Sequence, residues 1–536
     1  MQVLVAQINP TIGDFKENYR LIERMLQSNR SFDIALFPEL ALSGYAPQDL
    51  IHEADFINQQ QITLLQVAQL APQQLVIIGG IDRDQNTLQL YNAAFVLHQG
   101  QVQAVYRKMC LPNYDVFNES RYFHPGTEPL IFSYRGWQIG LSICEDLWAY
   151  LDTPPYSHHP LSAYNQLDLI VNLSASPYEK GKAKRRSSVV RQAAVNTKSC
   201  VIMCCQVGAH DGILYDGGSL GYNPAGQLIF QSQFFEEDCQ LVDINTPSQD
   251  QLENHELDLL EKGLVLGISD YFRKTGFHSA LIGLSGGVDS ALTLLLTVKA
   301  IGASRVHAFM IPSVFTSDMS LADSKALAAS LQVAIHQAPL NKVLIEIEEM
   351  VKAQTSGRLK GITHENMQSR LRGMFLMAMS NEMNALVVTT GNKSELAVGY
   401  ATLYGDMCGS FAPIGDLFKT EVYQLVRYLQ EKEKIFPERI LMRPPSAELK
   451  ANQKDQDTLP PYELLDAILK LYIEENIPYK ELITRCGFPQ EIVQAMIKKF
   501  YQSEFKRQQY APILKLSRKS LGPGRIVPIA HRYQPF

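Results

Sequence analysis

Ser285-Gly286-Gly287-Val288-Asp289-Ser290 follows directly on the apolar run Leu281-Ile282-Gly283-Leu284, where a buried strand should end and a helix begin. A strand that opens into a glycine loop with two hydroxyls and a carboxylate suits phosphate. Backbone N–H groups at the helix start bind the anion, and Asp289 can sit near a bound cation. The spacing is neither that of a Walker A loop nor of a dinucleotide fingerprint; a structural turn is the alternative. A second set of reactive residue types lies upstream: Glu39 in Phe37-Pro38-Glu39, Lys108 in Tyr106-Arg107-Lys108, and Cys144 just past Leu141-Ser142-Ile143. A thiol at a strand end attacks an amide when a base takes its proton and a cation stabilises the thiolate. Glu39 suits the base and acid, and Lys108 the charge facing thiolate and oxyanion. Taken singly, Cys144 also reads as a buried apolar residue and Glu39–Lys108 as a structural ion pair. A third set is Thr389-Thr390-Gly391-Asn392-Lys393-Ser394-Glu395, with Tyr404-Gly405-Asp406, Asp416, Lys419 and Ser446 beyond it. Phosphate transfer needs positive charge and metal-binding oxygens from separate loops, which Lys419, Asp289 and Glu395 supply in kind. Asp406 and Asp416 alone also read as helix caps.

The elements that must hold these residues fall into two groups. Before about residue 245, short apolar runs at Gln2–Gln7, 34–37, 75–79, 93–98, 138–143, 169–173 and 201–205 predict strands, with helices at 18–29 and 58–70. This predicts one α/β unit over 1–245. The polar stretch Thr246–Asn254 reads as a linker, drawn to 262. A second unit over 263–536 alternates helix and strand: a helix from about Leu264, strands at 280–284, 306–311 and 385–389, and helices at 290–300, 321–331, 368–383 and 420–429. That alternation predicts a mainly parallel sheet covered on both faces. The segment 450–461 is polar and reads as a mobile loop.

Composition narrows the class. Across 536 residues, 46% are hydrophobic and 19% charged, so large cores are supported, and the net charge of −6 argues against a nucleic-acid-coating surface. The eight cysteines form no Cys-x-x-Cys pair, which points away from a zinc ribbon or a disulfide scaffold. The chain opens on a strand-like run rather than a signal peptide, and no stretch reads as a membrane span. A cytoplasmic enzyme is expected.

The order and flanks of Glu39, Lys108 and Cys144 resemble the carbon–nitrogen hydrolase (nitrilase) superfamily over about residues 1–245. The resemblance implies an α/β/β/α sandwich and hydrolysis through a cysteine thioester. Leu111-Pro112-Asn113-Tyr114, Val116–Glu119 and Asn172–Pro177 resemble its glutaminase branch. There Tyr114 and Ser176 would hold the glutamine α-carboxylate and α-amino groups, Glu145 would lie near the amino end, and Glu119 would be an additional carboxylate beside the triad. Tyr114 as a packed aromatic stays open, as does the basic run Lys180–Arg186, either a solvated helix approach or a pocket or interdomain contact. Cys110 is given no role.

The glycine loop resembles that of the ATP pyrophosphatase superfamily, and from about Leu264 onward Thr-Gly-Asn-Lys-Ser-Glu with Tyr-Gly-Asp resembles the NAD synthetase family, implying a Rossmann-like parallel-sheet domain. On that resemblance Ser285, Gly286, Gly287, Val288, Asp289, Ser290, Thr390, Lys419 and Ser446 bind ATP. Asn366, Arg370, Lys393, Glu395, Asp406 and Lys506 contact nicotinate adenine dinucleotide, and Asp289 with Glu395 holds magnesium. A basic patch on the terminal segment is the alternative for 504–508. The order of halves resembles glutamine-dependent NAD synthetases, implying ammonia release in one half, adenylate formation in the other, an ammonia tunnel and a homo-oligomer, commonly an octamer. A free-standing amidase, or another amidating ligase of the same superfamily, are the rival readings.

Overall fold

The computed structural model describes residues 1–29, 31–148, 156, 160–245 and 255–536. The expected linker 246–254 lies outside the described residues, and from Glu256 the chain is already helical. Two compact units result, Met1–Leu259 and Leu260–Phe536.

The first unit is built on two six-stranded sheets. One runs β14-β1-β2-β3-β4-β5, from β1 (Gln2–Gln7), β2 (Ile34–Leu36), β3 (Leu75–Arg83), β4 (Leu90–His98), β5 (Gln101–Arg107) and β14 (Asp238–Asp243). The other runs β13-β12-β9-β8-β7-β6, from β6 (Leu130–Tyr134), β7 (Trp137–Ile143), β8 (Leu169–Ser174), β9 (Cys200–Cys205), β12 (Leu220–Tyr222) and β13 (Leu228–Gln231). The small hairpin β10 (Val207–His210)–β11 (Ile213–Asp216) stands apart. Side chains alternate across a strand. Val3, Val5, Ile34, Leu36, Ile77 and Val96 therefore meet Ile139, Leu141, Ile143, Val171, Leu173 and Ile202 in one core between the sheets. Leu4, Ala6, Val76 and Ile78 turn outward onto α1 (Phe15–Ser28) and α2 (Ala54–Ala68), and Ile170, Val201 and Met203 onto α4 (Lys182–Thr197). The layers are α/β/β/α. A one-turn helix, α3 (Glu145–Trp148), begins directly after Cys144.

In the second unit all four strands are parallel in the order β17-β16-β15-β18: β15 (Ala280–Gly283), β16 (Val306–Met310), β17 (Ala334–Gln337) and β18 (Leu386–Val387). The long helix α5 (Glu256–Thr275) leads into β15, and α6 (Val288–Ile301) leaves it. The chain steps one way from β15 to β16 and β17, and the other way to β18. The loops leaving β15 and β18 thus flank the point where strand order reverses, which is where open α/β sheets bind ligands. The strand expected to reach Thr389 stops at Val387, because Val388 bridges to Phe411 instead. The helices α7 (Asp318–Ser330), α8 (Asn341–Gln354), α9 (Gly361–Met383), α10 (Lys393–Val398), α11 (Lys419–Glu433), α12 (Glu438–Met442) and α13 (Tyr462–Ile473) complete what the site needs. No helix among the described residues is long and apolar enough to cross a membrane.

Candidate active sites

Glu39, Lys108 and Cys144 arrive from different strand ends of the first unit. Glu39 follows the interior strand β2, Lys108 follows the edge strand β5 of the same sheet, and Cys144 follows β7 of the facing sheet. Lys108 Nζ lies 2.7 Å from Glu39 Oε1 and 2.8 Å from Glu119 Oε1, all of it buried. Glu39 also accepts from Asn92 Nδ2 at 2.7 Å and from the Ala175 backbone N–H at 2.8 Å, so both of its oxygens are aimed. Tyr45 OH donates to Glu119 Oε1 at 2.6 Å. Cys144 sits at φ +40°, a left-handed conformation costly for a side chain and found where surroundings over-determine it. Its backbone N–H is pinned to Leu173 O at 2.8 Å, and Ser174 Oγ lies 3.4 Å from its sulfur.

The charges are balanced by burial. Burial lowers the affinity of Lys108 for its proton, but Glu119 and Glu39 outweigh it and hold the ammonium well above the usual lysine range. Burial, then Glu39, push the Cys144 thiol well up, with Lys108 opposing. Burial raises Glu119 to about 7 against the pull of Lys108. The Lys108 ammonium is shared by two carboxylates, and the upward push on the thiol suits a sulfur that gives its proton to a base, the role read from the sequence for Glu39.

Tyr114 and Glu145 come together, Tyr114 OH donating to Glu145 Oε1 at 2.8 Å, with the Tyr114 ring exposed rather than packed in a core. Ser176 is buried next to Ala175. The basic run does not form a solvated face throughout: Arg186 is buried and makes a two-pronged pair with Asp216 at 2.8 and 2.9 Å.

In the second unit a cavity of about 510 Å³ opens at the strand ends. The whole loop Ser285–Ser290 lines it, with Thr390, Glu395, Lys419, Ser446, Asn366, Asp406 and Lys506. Gly286 has φ +79°, and a Cβ there would lie 2.6 Å from Ser320 O, so the turn admits only glycine. Ser290 Oγ bonds Gly287 O and lies 3.2 Å from Ser285 Oγ, shaping the loop before α6. Asn392 caps α10 by accepting from Glu395 N, and its Nδ2 donates to Asp289 Oδ1 at 3.1 Å, tying the two loops together. Lys419, at the start of α11, bridges Asp289 and Glu395; its Nζ is 3.1 Å from Glu395 Oε1. Burial raises Glu395 to about 7 despite Lys419.

Two of the expected dinucleotide contacts do not line this cavity. Lys393 is fully buried between Asp416 (2.9 Å) and Glu474 (2.6 Å) and also donates to Ser517 Oγ, so its charge is spent inside the fold. Arg370 is exposed on α9, its Nε donating to Leu403 O; Arg372, two residues on, lines the cavity instead. Lys506 donates to Gly399 O and Ala401 O at the cavity wall, whereas Arg507 is buried against Glu504 and the Ala397 carbonyl.

Sequence reasoning missed three residues. Asn92 donates to Glu39 in the first site, Asp146 accepts from backbone beside Cys144 and Lys108, and Asp455, inside the segment read as a mobile loop, is buried at the second cavity with its Oδ2 accepting from Tyr462 OH. Among the described residues no group of three or more His, Cys, Asp or Glu side chains is disposed to hold a metal by itself. Asp289 and Glu395 fit magnesium differently. They are two carboxylates beside the glycine loop of the cavity, sharing a single ammonium, and magnesium commonly takes one or two carboxylates with substrate phosphates.

Residues 2–252 match the carbon-nitrogen hydrolase family, and residues 260–510 the NAD synthase family. The chain is 39% identical to a glutamine-dependent NAD(+) synthetase of Synechocystis, over 99% of each chain, and 37% identical to one of Thermotoga maritima, over 100% of this chain and 99% of the relative. It superposes on the glutamine-dependent NAD+ synthetase of Acinetobacter baumannii, solved with adenosine diphosphate, with TM-score 0.78 at 34% identity, over 98% of each chain. A glutamine-dependent NAD(+) synthetase from Cytophaga hutchinsonii shares the fold at TM-score 0.85 and 21% identity, over 99% and 97% of the two chains.

Proposed function

The chain belongs to the family of glutamine-dependent NAD(+) synthetases, and from that premise we propose how its residues divide the work. The enzyme is a ligase. It converts nicotinate adenine dinucleotide, ATP and glutamine to NAD, AMP, pyrophosphate and glutamate. The observation that carries the division is the pairing of a buried Lys108–Glu39–Glu119 cluster at a strained cysteine with a glycine loop and Lys419 at an open cavity.

Tyr114, Glu145 and Ser176 hold the amino-acid end of glutamine, the first two already joined by a hydrogen bond. Glu39, held by Asn92 and the Ala175 N–H, takes the Cys144 proton as the sulfur attacks the side-chain carbonyl. Lys108 faces the developing oxyanion. Glu39 passes its proton to the departing nitrogen, ammonia leaves, and water activated by the same carboxylate frees glutamate.

In the second unit the Ser285–Ser290 loop and the N-terminus of α6 bind ATP phosphates, with Thr390 and Lys419 at the α-phosphate and Ser446 at the departing pyrophosphate. Asn366, Asp406 and Lys506 stand at the dinucleotide end, joined by Arg372 in place of Lys393; Arg370 reaches only a ligand extending beyond the cavity. Asp289 and Glu395 would hold magnesium, which would offset phosphate charge. The nicotinate carboxylate attacks the α-phosphate, pyrophosphate leaves, and ammonia displaces AMP. Ammonia must travel unprotonated, so a passage closed to water belongs to the proposal. Described cysteines that are all free suit a reducing cytoplasm.

The test is mass spectrometry of products from magnesium, ATP, nicotinate adenine dinucleotide and amide-labelled glutamine, with unlabelled ammonium competing. Labelled NAD with AMP and glutamate is expected. NAD carrying only unlabelled nitrogen would remove Cys144 from the reaction, and glutamate without NAD would leave a free-standing amidase.

A further inference from the structure

Asp146 touches none of the groups assigned above, yet it is fully buried two residues after the nucleophile and uses both oxygens twice. Oδ2 accepts from the Ile143 N–H at 2.9 Å and from Tyr106 OH at 2.8 Å. Oδ1 accepts from the Met109 N–H at 3.1 Å and the Cys110 N–H at 2.8 Å. Ile143 immediately precedes Cys144, while Met109 and Cys110 immediately follow Lys108. Tyr106 belongs to β5, and its buried ring crosses the core between the sheets to reach a residue that follows β7.

We infer that Asp146 is a positioning residue for glutamine hydrolysis, one carboxylate that sets the nucleophile turn against the lysine loop. The inference rests on the assignment of Cys144 and Lys108 to that reaction. Cys144 and Lys108 stand on different sheets, and their separation is not dictated by any ladder between β5 and β7, which lie in separate sheets. The left-handed Cys144 backbone needs surroundings that fix it. A carboxylate presenting four acceptor directions satisfies three backbone N–H groups and one hydroxyl. An amide cannot replace it. Asparagine offers one oxygen and one NH2, so its NH2 would face either the Ile143 N–H or the Met109 and Cys110 N–H groups, donor against donor, and only the Tyr106 hydroxyl could turn to accept. A side chain of the same size therefore releases either the cysteine turn or the lysine loop, without opening a cavity.

The experiment compares full-length wild type, Asp146→Asn and Tyr106→Phe for glutamate release, for ammonia-driven NAD synthesis, for alkylation of Cys144 by iodoacetamide and for thermal melting. Asp146→Asn is expected to lower kcat for glutamine about 100-fold with KM changed less than about threefold, as misplacement by an ångström does. Alkylation should slow in parallel, and ammonia-driven synthesis should match wild type. Tyr106→Phe, which removes one donor of four, should lose about fivefold in kcat at an unchanged melting temperature. A lower melting temperature with unchanged kcat in Asp146→Asn would make the carboxylate a staple of the fold alone and overturn the inference. Should Asp146→Asn lose ammonia-driven synthesis too, Tyr106→Phe decides: a wild-type kcat there overturns the inference, and a selective loss supports it. Wild-type chain that releases no glutamate overturns the glutaminase assignment itself.

Discussion

Lys108 in the first unit and Lys419 in the second are each buried ammonium groups set between two carboxylates, Glu39 and Glu119 in one case and Asp289 and Glu395 in the other. In both, burial lifts one carboxylate to about 7, Glu119 and Glu395 respectively. Their surroundings differ. Around Lys108 the remaining carboxylate positions are filled by neutral donors, Asn92 Nδ2, Tyr45 OH and Ala175 N–H. Around Lys419 there is a third carboxylate, Asp455, whose Oδ1 is buried without a hydrogen-bond partner, and the group lies on a cavity of about 510 Å³. A cluster closed by neutral donors suits an uncharged amide, for which no further charge must be found. Two carboxylates share the Lys419 ammonium with a third nearby, so an anionic polyphosphate adds charge there that an accompanying cation would offset. The same motif thus meets a different charge demand in each unit.

The comparison breaks most sharply at the cysteine. Cys144→Ala should lower glutamine-driven NAD formation at least about 10³-fold while ammonia-driven formation persists, read as NAD produced with each nitrogen donor. Equal loss with both donors would mean that the first cluster is not a separate reaction site. Next, Lys419→Met should lower synthesis by about 10²–10³-fold with either donor, because charge at the transferring group is lost. AMP release measured with ammonia as donor checks it, and normal AMP release would leave Lys419 as a structural partner of Asp289 and Glu395.

A third lysine of this kind shows why the motif alone does not mark a site, and where the sequence was legible. Lys393 is read from the sequence as a substrate contact because it stands in Thr-Gly-Asn-Lys-Ser-Glu; in the fold it turns away from the cavity, to Asp416 and Glu474. The string settles which loop lies at the site, since that loop follows an apolar strand. Which side chains face inward depends on the backbone turn at Asn392, where α10 starts. In the first unit β1–β4 and β7–β9 were legible because two-sided burial leaves continuous apolar runs, while β6 and the short or half-buried strands β10–β14 were not. Gln101–Arg107 was not, since its exposed edge carries polar residues, and with it went the partner that reveals Asp146. Asp455 was hidden in the same way: a polar, proline-bounded stretch reads as loop, and only the fold brings Lys419 and Tyr462 to it. Lys393→Met therefore sharpens the comparison as a control. It should destabilise the chain by about 3–5 kcal/mol, as removal of one partner from a buried ion pair does, with KM for the dinucleotide unchanged in the folded enzyme. Chemical unfolding followed by circular dichroism, with kinetics on the same protein, separates this from a lost substrate contact.

The smallest expected effect concerns Glu119, and its sign follows from burial. The carboxyl rises from 4.5 to about 7 on folding, so between those values the folded chain keeps a proton that the unfolded chain has lost. Stability from this group is complete below the unfolded value and is lost as pH rises through about 7. Glu119→Gln carries no charge at any pH and still offers an oxygen to Lys108 and Tyr45. Its melting temperature should therefore fall less than that of wild type between about pH 5 and about pH 8, while Glu395, raised in the same way, continues to titrate in both proteins. Parallel melting curves for the two proteins across that range would mean that Glu119 is ionised throughout, leaving Lys108 between two full negative charges. The first cluster would then approach the second in charge, and neutral donors alone would not account for its preference for an amide.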